Sequence, residues 1–228
     1  MNKIICIIVL LTINVDFVFS QKDFRNVNWG MTMEQVKQNE TAPLTGEEKS
    51  LAGLRNGETF YNGIDFIYED VTIAERQARM FYHFKNGKLS EIRVIFKSTV
   101  YYKFDEPMSK IIQWFKPLFE NFKRKGFQYR YPLQCGNNLF SGPNRDEEKN
   151  VQIIEMSNWN INDSILLLID QMIADKHYKY CFTVLENERT YCNLFFRTSF
   201  EDGKNVAPVV MILTPSYNVI KQNGGSDF

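Results

Sequence analysis

The stretch Ala78-Arg79-Met80-Phe81-Tyr82-His83-Phe84-Lys85-Asn86-Gly87-Lys88-Leu89-Ser90-Glu91-Ile92-Arg93-Val94-Ile95-Phe96 decides how this chain is built. Apolar side chains recur at every second position: Ala78, Met80, Tyr82 and Phe84, then Ile92, Val94 and Phe96. That period belongs to strands with one buried face. Lys85-Asn86-Gly87-Lys88 between them is a hairpin turn. A two-residue Asn-Gly turn places Phe81 opposite Ile92 and sets the two apolar rows on opposite faces. A three-residue loop, with Gly87 left-handed, places Met80 opposite Ile92 and Ala78 opposite Val94. Only the second buries one continuous face, so it is the register expected. Ile64–Ile73 reads as an earlier strand paired with Glu75–Phe84.

Upstream, Thr32 is an N-cap with Gln35 three residues later, a capping box that starts a short helix with Met33 and Val36 on one face. The helix must end before Pro43. Residues 44–63 contain Gly46, Gly53, Gly57 and Gly63 and read as loop with at most a weak strand. Downstream, Met108, Ile111, Ile112, Phe115, Leu118, Phe119 and Phe122 form an apolar stripe that predicts a helix over 104–126, capped by Asp105. Pro117 must kink that helix or divide it in two. Val151–Met156, Ile165–Ile169, His177–Leu185, Arg189–Thr198 and Val206–Thr214 read as strands. The run Ile165–Ile169, apolar throughout, suits a central strand covered on both faces. Ser216–Phe228 reads as a flexible tail.

The expected fold class is therefore α+β. It consists of two helix-then-antiparallel-sheet units in tandem, residues 21–100 and 101–215, whose strands can join in one continuous sheet. Residues 216–228 follow as the tail.

Residues 1–20 read as a signal peptide. Lys3 supplies the positive region, Ile4 to Ile13 the apolar core, and Val18 and Ser20 the small positions before Gln21. Asn14 and Asp16 interrupt the apolar run before it reaches transmembrane length. Cys6 lies too early, behind the bulky Ile5, for lipid attachment. The protein is expected to be exported, periplasmic or secreted, with no transmembrane span. Cys135, Cys181 and Cys192 remain after cleavage, an odd number that leaves at least one thiol. In the last hairpin, Tyr178, Tyr180, Phe182 and Val184 form one apolar row and Cys192, Leu194 and Phe196 the other. Bringing both rows to one face sets Phe182 opposite Cys192 across a loop Glu186–Glu188. Cys181 then points to the opposite face, so a Cys181–Cys192 bridge is not expected.

GMTMEQV (Gly30–Val36) and FKNGKL (Phe84–Leu89), separated by aromatic strands, resemble the SmpA/OmlA family of small outer-membrane lipoproteins. That family belongs to the β-barrel assembly machinery. Doubled, the same unit resembles the β-lactamase-inhibitor-protein-like fold. The resemblance implies a protein used for protein–protein contact and not for catalysis.

Chemistry-bearing residues are few. Lys plus Arg and Asp plus Glu both number 27, a balance that argues against nucleic acid as partner. The only histidines, His83 and His177, lack a His or Cys at metal-ligand spacing, and both read as solvated strand residues. Glu69-Asp70 and Glu147-Glu148 read as turn carboxylates pointing apart. No nucleophile elbow, phosphate-cradling loop or zinc-protease motif occurs. Residues 101–130 carry seven basic and three acidic groups, and residues 144–175 two and seven. The basic excess reads as a helix C-terminus complementing its dipole. The chain has 19 Phe, 11 Tyr and 3 Trp. Those outside core rows, such as Tyr101, Tyr102, Trp114, Tyr129 and Tyr131, suit a contact patch, a pocket wall or an aromatic-rich core. The expected function is an exported, non-enzymatic protein-interaction module whose partner is another protein. No catalytic, cofactor or metal residues are assigned. The alternative is a carrier for an apolar or lipid-like small molecule, with the 104–126 helix as a lid over the sheet.

Overall fold

The computed structural model describes residues 23–55, 58–97, 109, 112–113, 115–136, 152–154, 167, 169–171, 180–197 and 209–222. The proposed signal peptide, His177, Glu147-Glu148, Tyr101, Tyr102 and Trp114 lie outside them.

One antiparallel sheet dominates. Its strands are β1 (Gly46–Arg55), β2 (Glu58–Ile73), β3 (Arg76–Lys85), β4 (Lys88–Phe96), β5 (Gln128–Gly136), β6 (Gln152–Ile154), β7 (Tyr180–Glu186), β8 (Thr190–Arg197) and β9 (Val209–Pro215). The spatial order is β1-β2-β3-β4-β9-β8-β7-β5-β6. Three short helices have both ends among the described residues: α1 (Met33–Asn39), α2 (Lys116–Arg124) and α3 (Tyr217–Gln222). The two-unit α+β expectation is corrected accordingly. The architecture is a sheet-dominated fold rather than two helix-plus-sheet units. Most of its order comes from strand pairing, and the helices serve as covers for one face. No helix among the described residues is long and apolar enough to cross a membrane.

The deciding hairpin buries one face, by a route different from the expected one. Asn86 (φ 51°) and Gly87 (φ 73°) are both left-handed, the signature of a two-residue turn. Lys85 faces Lys88 and Phe84 faces Leu89, and the register then shifts so that His83 faces Glu91. Ser90 is the extra residue, a bulge that moves the ladder by one. Met80 therefore pairs with Val94 and Tyr82 with Ile92, not Met80 with Ile92. Turn chemistry selects the Asn-Gly turn, and the bulge restores the apolar face. Gly30–Val36 and Phe84–Leu89 meet at this point: the Gly30 amide donates to the Leu89 carbonyl (3.0 Å), and the Leu89 amide to the Met31 carbonyl (2.9 Å).

The capping box forms as expected: the Thr32 hydroxyl accepts from the Gln35 amide, and the Gln35 side chain accepts from the Thr32 amide. Residues 46–55 and 58–63 are strand, not loop. They hold β1 and the first part of β2, and Gly63 allows a neighbouring strand to approach closely. A Cβ on Gly63 would lie 2.2 Å from the Phe84 carbonyl oxygen and 2.7 Å from His83 Cε1. Gly63→Ala is therefore expected to destabilise the fold by about 1–3 kcal/mol, because backbone cannot yield as a side chain can. Urea denaturation measures this, and an unchanged midpoint would contradict it.

Pro117 divides the expected long helix. Phe115 is the N-cap of α2, and Pro117 occupies its first turn. Gly126 (φ 72°) ends α2, with the Phe127 amide donating to the Phe122 carbonyl. Leu167 and Ile169–Gln171 are helical, so the described part of Ile165–Ile169 is helix where a strand is expected. A short all-apolar run suits either element, and packing decides. Ile169 is fully buried in the core, and the Asp170 carboxylate accepts from the Ser109 amide (2.9 Å) and from its hydroxyl. The tail expectation also fails over 217–222, where α3 forms and buries Val219.

The main core cluster lies on one face of the sheet, and Ile67 and Phe81 are buried on the other. Tyr82, Phe84, Ile92, Val94, Met211, Leu213, Cys192, Leu194, Leu185 and Cys181 join Val36, Ile112, Phe119, Phe122 and Val219 in one cluster. Phe115 sits edge-on to Phe96 (4.8 Å) and Phe119 stacks on Phe196 (6.1 Å). The aromatic excess is in large part core.

The β7–β8 register also departs from expectation. Cys181 faces Phe196, Thr183 faces Leu194 and Leu185 faces Cys192. Cys181, Thr183 and Leu185 form the buried row, and Phe182 and Val184 turn to the other face. Both rows of β7 carry apolar side chains, so hydrophobicity alone does not choose between them. The turn does. Asn187 Oδ1 accepts from the Arg189 and Thr190 amides (3.0 and 2.8 Å), and Ser216 donates its amide to the Arg189 carbonyl (2.9 Å). Cys181 and Cys192 thus share the core face, offset by four residues, about 13 Å of strand. Cys192 is a free, buried thiol, whose pKa burial raises well above its usual range, and Cys181 is disulfide-bonded.

Candidate interaction face of the sheet

The buried residues of α1, α2 and α3 all belong to the core cluster. The opposite sheet face carries its own apolar rows. Across the central strands Ile95 faces Val210, Val210 faces Phe195, and Phe195 faces Phe182. The adjacent row runs Ile67, Phe81, Arg93, Ile212, Asn193, Val184. Ile95, Val210, Phe195, Phe182, Ile212 and Val184 are half-buried. The Phe182 and Phe195 rings stack at 6.3 Å. Period-two alternation produces this face as directly as it produces the core. Ile95, Val210 and Ile212 occupy the positions that a one-sided sheet fills with polar residues.

Charged pairs border the apolar band. On the β2–β4 side, Arg79 contacts Glu69 (2.6 Å), Lys97 contacts Glu69 (3.0 Å) and Asp70 (2.8 Å), and Arg93 contacts Glu91 (2.9 Å). Glu69 and Asp70 are not turn residues pointing apart. They occupy a bulge within β2 where Asp70 is left-handed (φ 55°), and both carboxylates reach Lys97. Those hydrogen bonds, Asp70's foremost, hold the Lys97 ammonium above its usual range. The Arg79 guanidinium lies over Phe81 at 4.9 Å. On the far side, Arg130 contacts Glu186 (3.1 Å) and lies over the Tyr191 ring (4.9 Å).

His83 is not a free solvated histidine. Its Nδ1 is 2.7 Å from Asp65 Oδ1, and little of either side chain is exposed. Asp65, on the neighbouring strand, could be linked to His83 only through the β2–β3 register. Among the described residues, no group of three or more His, Cys, Asp or Glu is placed to hold a metal ion. Of the basic 101–130 segment, Lys123 and Arg124 occupy the last turn of α2, where cations complement the helix dipole.

Two buried polar clusters, invisible as motifs, hold the N-terminal segment. The Glu40 carboxylate, fully buried, accepts from Tyr82 hydroxyl (2.6 Å), Arg25 Nη2 and Nε (3.0 and 3.1 Å) and the Thr41 and Ala42 amides (2.8 and 3.0 Å). Burial pushes its pKa up, and these hydrogen bonds outweigh that and hold it below the usual carboxylate range. Tyr68 packs edge-on to Tyr82 (5.3 Å), and burial raises its phenol to about 12. The Asp23 carboxylate accepts from Arg189 Nε and Nη2 (2.5 and 3.0 Å) and from the Trp29 amide (2.8 Å). Trp29 Nε1 donates to the Thr190 hydroxyl (2.9 Å), fastening residues 23–29 to the β7–β8 turn.

No protein-family model, no curated protein and no solved structure matches the chain.

Proposed function

We propose that this chain is an exported, non-enzymatic interaction module that docks a partner protein on the sheet face opposite the main core cluster. The observation that carries the reading is the band Ile95–Val210–Phe195–Phe182, half-buried, bordered by ion pairs and facing away from the helices. An apolar centre with a polar rim is the anatomy of a protein interface. Export is supported by the disulfide at Cys181, since such bonds persist in oxidising compartments. The likeness of Gly30–Val36 and Phe84–Leu89 to the SmpA/OmlA family supports a contact role.

Affinity capture from the native organism, followed by native mass spectrometry, tests the reading. The wild-type chain is expected to retain a protein partner, and a Phe195→Lys, Val210→Lys double variant to lose it by at least about tenfold in affinity, as removal of central apolar anchors does. Ile95→Lys provides an independent variant on the same row. Retention of the partner by folded variants, or co-purified lipid with no protein, would overturn the proposal.

A further inference from the structure

A cavity of about 400 Å³ lies between the start of β5, the β7–β8 turn and α3. Its volume is that of a small-molecule site. The lining is Gly126, Gln128, Glu186–Glu188, Tyr191 and Ser216–Asn218, without an aliphatic or basic side chain. That composition disfavours an apolar ligand, and the two carboxylates disfavour an anion. Arg130 already neutralises Glu186 and covers one face of Tyr191. A single unpaired carboxylate, Glu188, is then a weak basis for a cation site. What remains is a cleft with donors and acceptors in balance, beside an exposed ring. Gln128 and Asn218 each offer a donor and an acceptor, Glu188 offers acceptors, and Tyr217 is 67% exposed.

We propose that this cleft binds a neutral carbohydrate, whose hydroxyls exchange hydrogen bonds with Gln128, Glu188 and Asn218 while a C–H face of the sugar packs on Tyr217. Hydroxyl groups need donors and acceptors together, and a pyranose presents an apolar face that a tyrosine ring covers. The proposal is independent of the docking role of the apolar band, since it uses none of that band's residues.

The test is a glycan array probed with the disulfide-bonded chain, followed by saturation-transfer NMR with the strongest-binding neutral oligosaccharide. Wild-type protein is expected to bind neutral glycans in preference to sialylated or sulfated ones. Tyr217→Ala and Glu188→Gln are each expected to weaken binding about tenfold or more. Both side chains are exposed, and the Glu188 group that bonds Ser216 is its carbonyl, so neither change threatens the fold. Absence of neutral-glycan binding, preference for acidic glycans, tighter binding of a lysine-rich peptide than of any sugar, or binding indifferent to both substitutions would overturn the assignment. The Phe195→Lys, Val210→Lys variant is expected to keep its glycan binding, which separates the two proposals.

Discussion

Glu40→Ala is expected to destabilise the protein by about 3–5 kcal/mol, the cost of removing one partner from a buried ion pair. For a chain of this size that is a fall in Tm of roughly 10 °C. The carboxylate joins four parts of the fold. Carried on the C-cap residue of α1, it accepts from Nε and Nη2 of Arg25, from the Tyr82 hydroxyl of β3 and from two amides in the following turn. Arg25 also donates to the Thr72 carbonyl of β2 (3.3 Å). Without the carboxylate, the Tyr82 hydroxyl is left buried and unpaired. Tyr82→Phe removes one donor and keeps the other four, so its cost is expected near 1.5–3 kcal/mol, roughly the value of a hydrogen bond to a charged group. Thermal and urea unfolding measure both. Equal losses would show that the network does not act through Glu40.

The same site sets a pH dependence. The folded-state pKa of Glu40 lies below its ordinary value of 4.5. Its contribution is therefore complete at neutral pH and is lost as pH falls from about 4.5 through the lowered folded value. The stability difference between wild type and Glu40→Ala is expected to narrow over that interval. A difference that stays constant to low pH would contradict the assignment.

Loss of the disulfide at Cys181 is expected to cost roughly 4 kcal/mol. Cys192 is free, and the β5–β7 ladder sets Cys135 directly opposite Cys181. The expected pairing is therefore Cys135–Cys181, which closes a loop of about 47 residues and limits the unfolded chain accordingly. Non-reducing peptide mapping is expected to join a 128–136 peptide to a 180–186 peptide. Cys181→Ser is expected to lower stability by about that amount, and Cys192→Ser by much less, through packing alone. A bridge to Cys192, or an unchanged midpoint in Cys181→Ser, would contradict the pairing.

Local chemistry was legible where a few neighbouring residues settle the outcome. Thr32 and Gln35 specify the capping box in four residues, Pro117 specifies a division of the helix, and the alternation from Ala78 to Phe96 specifies a buried strand face. The pairing of Ile64–Ile73 with the next strand also follows from pattern and proximity. Other features required the assembled sheet. Ser90 was an unremarkable polar position until the Asn86-Gly87 turn and the core together forced a bulge upon it. β7 has apolar residues in both rows, and its facing was settled by the Asn187 turn and the Ser216 contact to Arg189. Residues 44–63 looked like loop because glycine usually interrupts strands, whereas here Gly63 allows a neighbouring backbone to approach.

The candidate sites divide along the same line. Composition and alternation alone placed His83 on a strand face outside the core and indicated an aromatic excess. That Asp65 holds His83, that Glu69 and Asp70 converge on Lys97, and that Ile95, Val210, Phe195 and Phe182 form one row depended on register between strands far apart in sequence. The physical reason is that period, caps and turns act over a few residues. Which strand neighbours which, and which of two apolar rows is covered, is a competition among contacts of the whole sheet. In this chain β4 lies beside β9, and that pairing joins two apolar strands distant in sequence into one continuous row.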